Sequence, residues 1–107
     1  MSLYAPSSKT RSFFLQVGRN LRIARKRRKK TIVEVAEMVG VSPATIKRVE
    51  GGEPSVKFGI YYAIAEVFQL EDTVRFAEPE LDTIGMTLEK QRMPKRIRNK
   101  KDKRLDF

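Results

Sequence analysis

From Ser12 onward the apolar positions Phe14, Val17, Leu21 and Ala24 recur at helical spacing, while Arg19, Arg22, Lys26, Arg27, Lys29 and Lys30 take other positions. This period predicts a first helix over about residues 12–28. Residues 1–11, with Pro6, Ser7, Ser8, Lys9 and Thr10 and little apolar pattern, read as a flexible leader. Thr31-Ile-Val-Glu34 has the spacing of a capping box, in which the Thr hydroxyl satisfies one orphan amide and the Glu carboxylate another. A second helix starts there, with Val35, Ala36 and Val39 as its apolar stripe, and Gly40 stands where a left-handed residue would close it. Ser42 then offers a cap and Pro43 the ring that fits a first helical position, so a third helix runs from about Pro43 to Glu50.

Gly51-Gly52-Glu53-Pro54 interrupts the chain, and Ile60, Ile64, Val67 and Phe68 rebuild an apolar stripe that predicts a fourth helix over about 57–69. Leu70, Val74 and Ala77 suggest a short fifth helix, stopped by Pro79. Beyond it Leu81, Ile84 and Leu88 suit a helix, whereas Ile84, Met86 and Leu88 suit a strand, and Gly85 weakens both; a short helix is favoured. From Arg92 the basic residues and Pro94 make a tail too poor in apolar area to order itself alone. The expected class is all-α: a five-helix bundle over 12–78, then an extension and basic tail over 79–107.

Charge sharpens this picture. Split after Lys30 and after Gln91, the 107-residue chain carries +10, −6 and +6, so two basic ends flank an acidic middle. Clustered positive charge attracts polyanions by displacing their counterions, which puts nucleic acid ahead of anionic membrane or acidic protein as a partner. The lack of Cys and His removes zinc fingers, disulfides, thiol nucleophiles and the best proton-transfer side chain. Carboxylates such as Glu34, Glu37 and Glu66 sit at cap or surface spacings, so no catalytic residues, metal or cofactor are expected. The longest apolar run, Ile60 to Ala65, is far too short for a bilayer, and a cytoplasmic protein without membrane attachment is expected.

Two short helices joined at Gly40-Val41-Ser42 have the turn length and glycine of a helix-turn-helix, whose second helix enters the major groove of DNA. On the helical wheel Ser42, Ile46, Val49 and Glu50 share one side of the third helix, and Ala44, Lys47 and Arg48 point the opposite way. Lys47 and Arg48 suit guanine O6 and N7, the Ala44 methyl suits a thymine methyl, and Thr45 suits base or phosphate.

The run Thr31 to Gly51 resembles the helix-turn-helix of the Cro and C1 repressor (XRE) family, at Val35-Ala36, Gly40-Val41-Ser42, Ile46 and Glu50-Gly51. That resemblance implies the repressor-type bundle and a buried ion pair between Arg25 and Glu50. It also exposes two departures: Ile32 stands where a Gln commonly holds a phosphate, and Pro43 where a polar residue often opens base contact. Phosphate anchoring is expected instead from Lys26, Arg27, Lys29 and Lys30, beside the amide end of the second helix, with Thr31 and Ser42.

A second resemblance joins Gly51-Gly52-Glu53-Pro54-Ser55-Val56, Gly59, Glu71-Asp72 and Asp82 to Arg98 to XRE regulators partnered with HipA-type kinases. It implies a HipB-like antitoxin: a homodimer that represses its own operon and binds a kinase toxin. Leu81, Ile84, Leu88, Met93 and Ile97 are the expected apolar contacts to a partner subunit or toxin, the alternative being that Leu81, Ile84 and Leu88 cap the protein's own core. A plain repressor without a toxin is the other reading.

Overall fold

The computed structural model describes residues 4–92. All regular structure among them is helical: α1 Ser8–Arg27, α2 Ile32–Val39, α3 Pro43–Glu50, α4 Phe58–Val67 and α5 Thr83–Arg92, with single 3-10 turns at Glu71–Thr73 and Pro79–Leu81. The chain divides into two compact units, one ending at Val74 and the other beginning at Arg75.

In the first unit α1 starts at Ser8, not Ser12, because Ser7 Oγ accepts from the Thr10 amide at 3.1 Å and so satisfies an orphan donor of the first turn. The end of the stretch read as a leader is therefore helical. Its inward stripe puts Leu21 and Ala24 against Val35 and Ala36 of α2, Ile46 and Val49 of α3, and Tyr61, Ile64 and Ala65 of α4. Phe68 completes this core, and Tyr61 spends its hydroxyl on the Glu53 carbonyl at 2.8 Å, so its buried polar tip is satisfied.

Each of the four helices is closed by a residue in the left-handed region: Lys29 after α1, Gly40 after α2, Gly52 after α3 and Gln69 after α4. After α1 the Lys29 amide reaches the Lys26 carbonyl and the Lys30 amide the Arg25 carbonyl; after α4 the Gln69 amide reaches Glu66 and the Leu70 amide Ala65. These paired bonds satisfy the last orphan carbonyls and turn the chain sharply, which is how four helices fit around so small a core. Gly18 and Gly52 allow a close approach of backbone to backbone. A Cβ on Gly18 would lie 2.9 Å from the Glu50 carbonyl oxygen, and one on Gly52 would lie 2.6 Å from the Leu15 Cα.

The expected short helix at Leu70 to Ala77 does not form. Only the 3-10 turn Glu71–Thr73 is present, because Leu70 and Val74 both turn onto the core edge and Ala77 takes a left-handed φ of 55°. The fifth α-helix lies instead after Pro79, where helix and strand were both open.

In the second unit Asp82 precedes α5 and its Oδ1 accepts from the Gly85 amide at 2.8 Å. A Cβ at Gly85 would crowd that carboxylate, so the glycine that weakened the sequence reading makes room for the cap. Leu81, Ile84 and Leu88 are exposed.

Candidate nucleic-acid interface

The turn from α2 to α3 is built from local chemistry. Thr31 Oγ1 accepts from the Glu34 amide at 3.0 Å while Glu34 Oε1 accepts from the Thr31 amide at 2.8 Å, a complete capping box. Gly40 closes α2 at φ 89°, its amide on the Ala36 carbonyl at 2.8 Å, and the Val41 amide shares that carbonyl. Ser42 Oγ then accepts from the Thr45 amide, and Pro43 opens α3. Three residues thus join two eight-residue helices.

Helix α3 buries Ile46 and Val49 and leaves Ala44, Lys47 and Arg48 exposed, as the wheel predicts. Ser42, placed by the wheel on the core side, is instead exposed at the cap, with its Oγ 3.0 Å from Thr45 Oγ1. Lys47 and Arg48 have no side-chain partner among the described residues, so their donors remain available.

The base of α3 is braced by Arg25. Its Nε donates to Glu50 Oε2 at 2.6 Å and its Nη2 to Glu50 Oε1 at 3.0 Å, while Nη1 donates to the Lys30 carbonyl at 3.0 Å. One guanidinium therefore ties α1 both to the end of α3 and to the turn before α2. Both side chains are about nine-tenths buried. The hydrogen bonds that Arg25 donates to Glu50 raise the Arg25 pKa above its already high value, against the opposing effect of burial. The fork geometry of the guanidinium is what lets it satisfy both partners at once.

Beside this brace Lys26, Arg27, Lys29 and Lys30 are exposed and carry no salt bridge among the described residues. Ile32 packs on the core, which is why an apolar residue stands there. The amide end of α2 is less open to an anion than the sequence suggests, because Glu34 already occupies part of it. The bond from the Thr31 amide holds the Glu34 carboxyl below its usual pKa, keeping that negative charge in place.

The model of a helix-turn-helix domain family matches residues 16–77, more than half of the chain. The chain belongs to this helix-turn-helix family. No curated protein and no solved structure matches it significantly. Helix-turn-helix domains are DNA-binding modules, and the match takes in the helices that carry the brace and the exposed side of α3. No helix among the described residues is long and apolar enough to cross a membrane.

Two structural residues in this domain escaped the sequence reading. Arg28, inside the basic run, stays exposed as a residue but ties its guanidinium to the backbone: Nη1 donates to the Ala24 carbonyl, Nη2 to the Phe68 carbonyl, both at 3.0 Å, and it lies 5.0 Å from the Phe68 ring centroid. The available signal was its place one turn beyond Ala24 on the apolar stripe of α1. Gly18 was the other, and no periodicity announces a backbone approach. Of the expected partner contacts, Leu81, Ile84 and Leu88 lie on the second unit, whereas Met93 and Ile97 lie outside the described residues.

Proposed function

We propose that the protein is a sequence-specific, double-stranded DNA-binding transcriptional regulator whose α3 enters the major groove. The observation that carries this reading is the two-sidedness of α3: Ile46 and Val49 are buried, Ala44, Lys47 and Arg48 are exposed, and Arg25 holds its end through Glu50. Ala44, Thr45, Lys47 and Arg48 meet base edges, and Lys26, Arg27, Lys29, Lys30, Thr31 and Ser42 meet phosphates. A twofold homodimer would set two copies of α3 on half-sites about 34 Å apart, which suits a repressor.

Selection of binding sites from random duplexes, followed by affinity measurements on the selected site, tests this. Lys47→Ala and Arg48→Ala relax preference at particular base pairs by about 1–3 kcal/mol, whereas neutralising Lys29 and Lys30 together weakens all sequences alike. Equal losses on selected and random duplexes for both α3 variants would overturn the assignment of α3.

The finer reading is an autorepressing antitoxin of the HipB kind, with a HipA-like kinase toxin as partner; a plain repressor with no toxin is the alternative. What favours docking is the second unit, where Leu81, Ile84 and Leu88 stay exposed although a merely basic extension has no need of them. Replacing these three by Asp abolishes co-purification with a co-expressed HipA-like kinase and leaves operator affinity intact. Undiminished capture of the kinase would remove this docking surface.

A further inference from the structure

The N-terminal third of the chain has no acidic residue before Glu34, yet it forms a helix of 20 residues. Of the seven basic residues in α1, only Arg25 is buried and paired; Arg11, Arg19, Arg22 and Lys26 are exposed and have no side-chain partner among the described residues. Arg11, Leu15, Arg19, Arg22 and Lys26 follow one another at steps of three or four, so they line one face over roughly 22 Å at the rise of an α-helix. The backbone of α1 beside this face adjoins the end of α3 and the turn after it. Leu15, in the middle of it, lies against Gly52, and Gly18, on the neighbouring side, meets the Val49 and Glu50 carbonyls.

Such a pattern works against the helix that carries it. Arg19 with Arg22, and Arg22 with Lys26, are like charges at repelling spacings, and Arg11 sits near the positive end of the helix dipole. A polyanion would reverse the sign of each of these interactions.

We propose that the stripe Arg11, Arg19, Arg22 and Lys26 is a second phosphate-binding track, along which DNA flanking the α3 site is held. The proposal rests on the duplex-binding reading above and extends it beyond the helix-turn-helix. Three of the four residues are Arg, whose fork matches phosphate oxygens, and the fourth is already among the phosphate contacts assigned beside α2. A lipid surface fits less well, because Phe14, Val17, Leu21 and Ala24 of α1 face the core and the exposed Phe13, Leu15 and Ile23 are scattered around the helix with no continuous apolar face.

The test uses the full chain and a long random-sequence duplex. The log–log salt slope of binding is measured for the intact protein, for Arg11→Gln/Arg19→Gln/Arg22→Gln, and for a charge-matched control, Lys9→Gln/Lys90→Gln/Arg92→Gln, with helicity checked for each. The stripe variant loses about 2–3 units of slope and the control less than one, as expected when three contacted phosphates are given up. An unchanged slope for the stripe variant, or an equal fall in the control, overturns the track. So does stripe-dependent binding to phosphatidylserine vesicles with the duplex slope unmoved. Failure of the intact protein to bind any duplex would instead remove the underlying reading, and the track with it.

Discussion

Gly18 in α1 and Gly52 after α3 meet backbone to backbone: a Cβ on Gly18 would stand 2.9 Å from the Gly52 amide nitrogen. The opposing atoms are main-chain atoms fixed by helix ends, so they cannot swing aside as a side-chain tip would. Gly18→Ala is therefore destabilising by about 1–3 kcal/mol, although Ala is the better helix former by about 1 kcal/mol. Gly52→Ala costs more, since φ of 75° adds strain to the collision with Leu15. Gly40→Ala is the reference: φ is 89° but the surrounding space is open, so only the conformational cost of about 1–2 kcal/mol remains. Denaturant unfolding of the three variants should order them with Gly52→Ala the most costly; a neutral Gly18→Ala contradicts the close approach.

The Arg25 and Glu50 pair predicts a strongly non-additive cycle. Glu50→Ala strands a guanidinium that is nine-tenths buried and costs about 3–5 kcal/mol. Arg25→Met with Glu50→Leu recovers much of this, because two apolar groups leave no buried charge. Recovery is incomplete, since the double replacement also removes the bond from Arg25 to the Lys30 carbonyl, which Glu50→Ala keeps. Urea unfolding of the single and double variants measures the coupling, and additive losses would show the pair to be energetically independent.

Gln69 offers a gain. It closes α4 at φ 60° without benefiting from its side chain, and that conformation costs an ordinary L-residue about 1–2 kcal/mol. Gln69→Gly removes this cost and surrenders some to the greater entropy of the unfolded chain, leaving a net stabilisation of roughly 0.5–1 kcal/mol. A thermal midpoint several degrees higher is expected. A fall in the midpoint would mean that the side chain contributes more than its exposure indicates.

Tyr61 sets an alkaline limit. Unfolded tyrosine ionises near pH 10, whereas in the fold burial, and then the charge of Glu53, push it up to about 12. The contribution is complete below pH 10 and is lost as pH rises toward 12, because over that window the unfolded chain sheds a proton that the folded chain retains. Stability measured from pH 9 to 12 should fall less steeply for Tyr61→Phe than for the intact protein. Parallel curves would show that Tyr61 ionises alike in both states.

What was legible in the residues was local. The capping box at Thr31, the left-handed close at Gly40 and the Ser42-Pro43 start each involve neighbours in sequence, and α2 and α3 follow from them almost to the residue. The segment after α4 was misread because Leu70 and Val74 share a helical spacing that they use only to reach the same core edge from an irregular chain. Arg28 shows the complementary difficulty. In a run of six basic residues composition does not say that Arg28, besides Arg25, is tied to the backbone, and only the position of the Phe68 carbonyl, forty residues away, selects it. The inward and outward sides of α3 were readable from the wheel, whereas the occupation of the α2 amide end by Glu34 follows from the very motif that marked that end as open.

The threefold grip of Arg25 bears on how the domain meets its target. With α1, the start of α2 and the end of α3 fastened by one side chain, the recognition surface is fixed at folding and not at encounter. Association with DNA then orders few backbone residues, so the heat-capacity change of binding should reflect surface covered by rigid docking and carry little signature of coupled folding. On the proposed reading of α3, a mismatched base pair would meet a helix held at its end by Arg25. Discrimination would therefore arise from stiffness, and loosening the grip at Glu50 should broaden the range of sequences bound before it weakens binding to the best one.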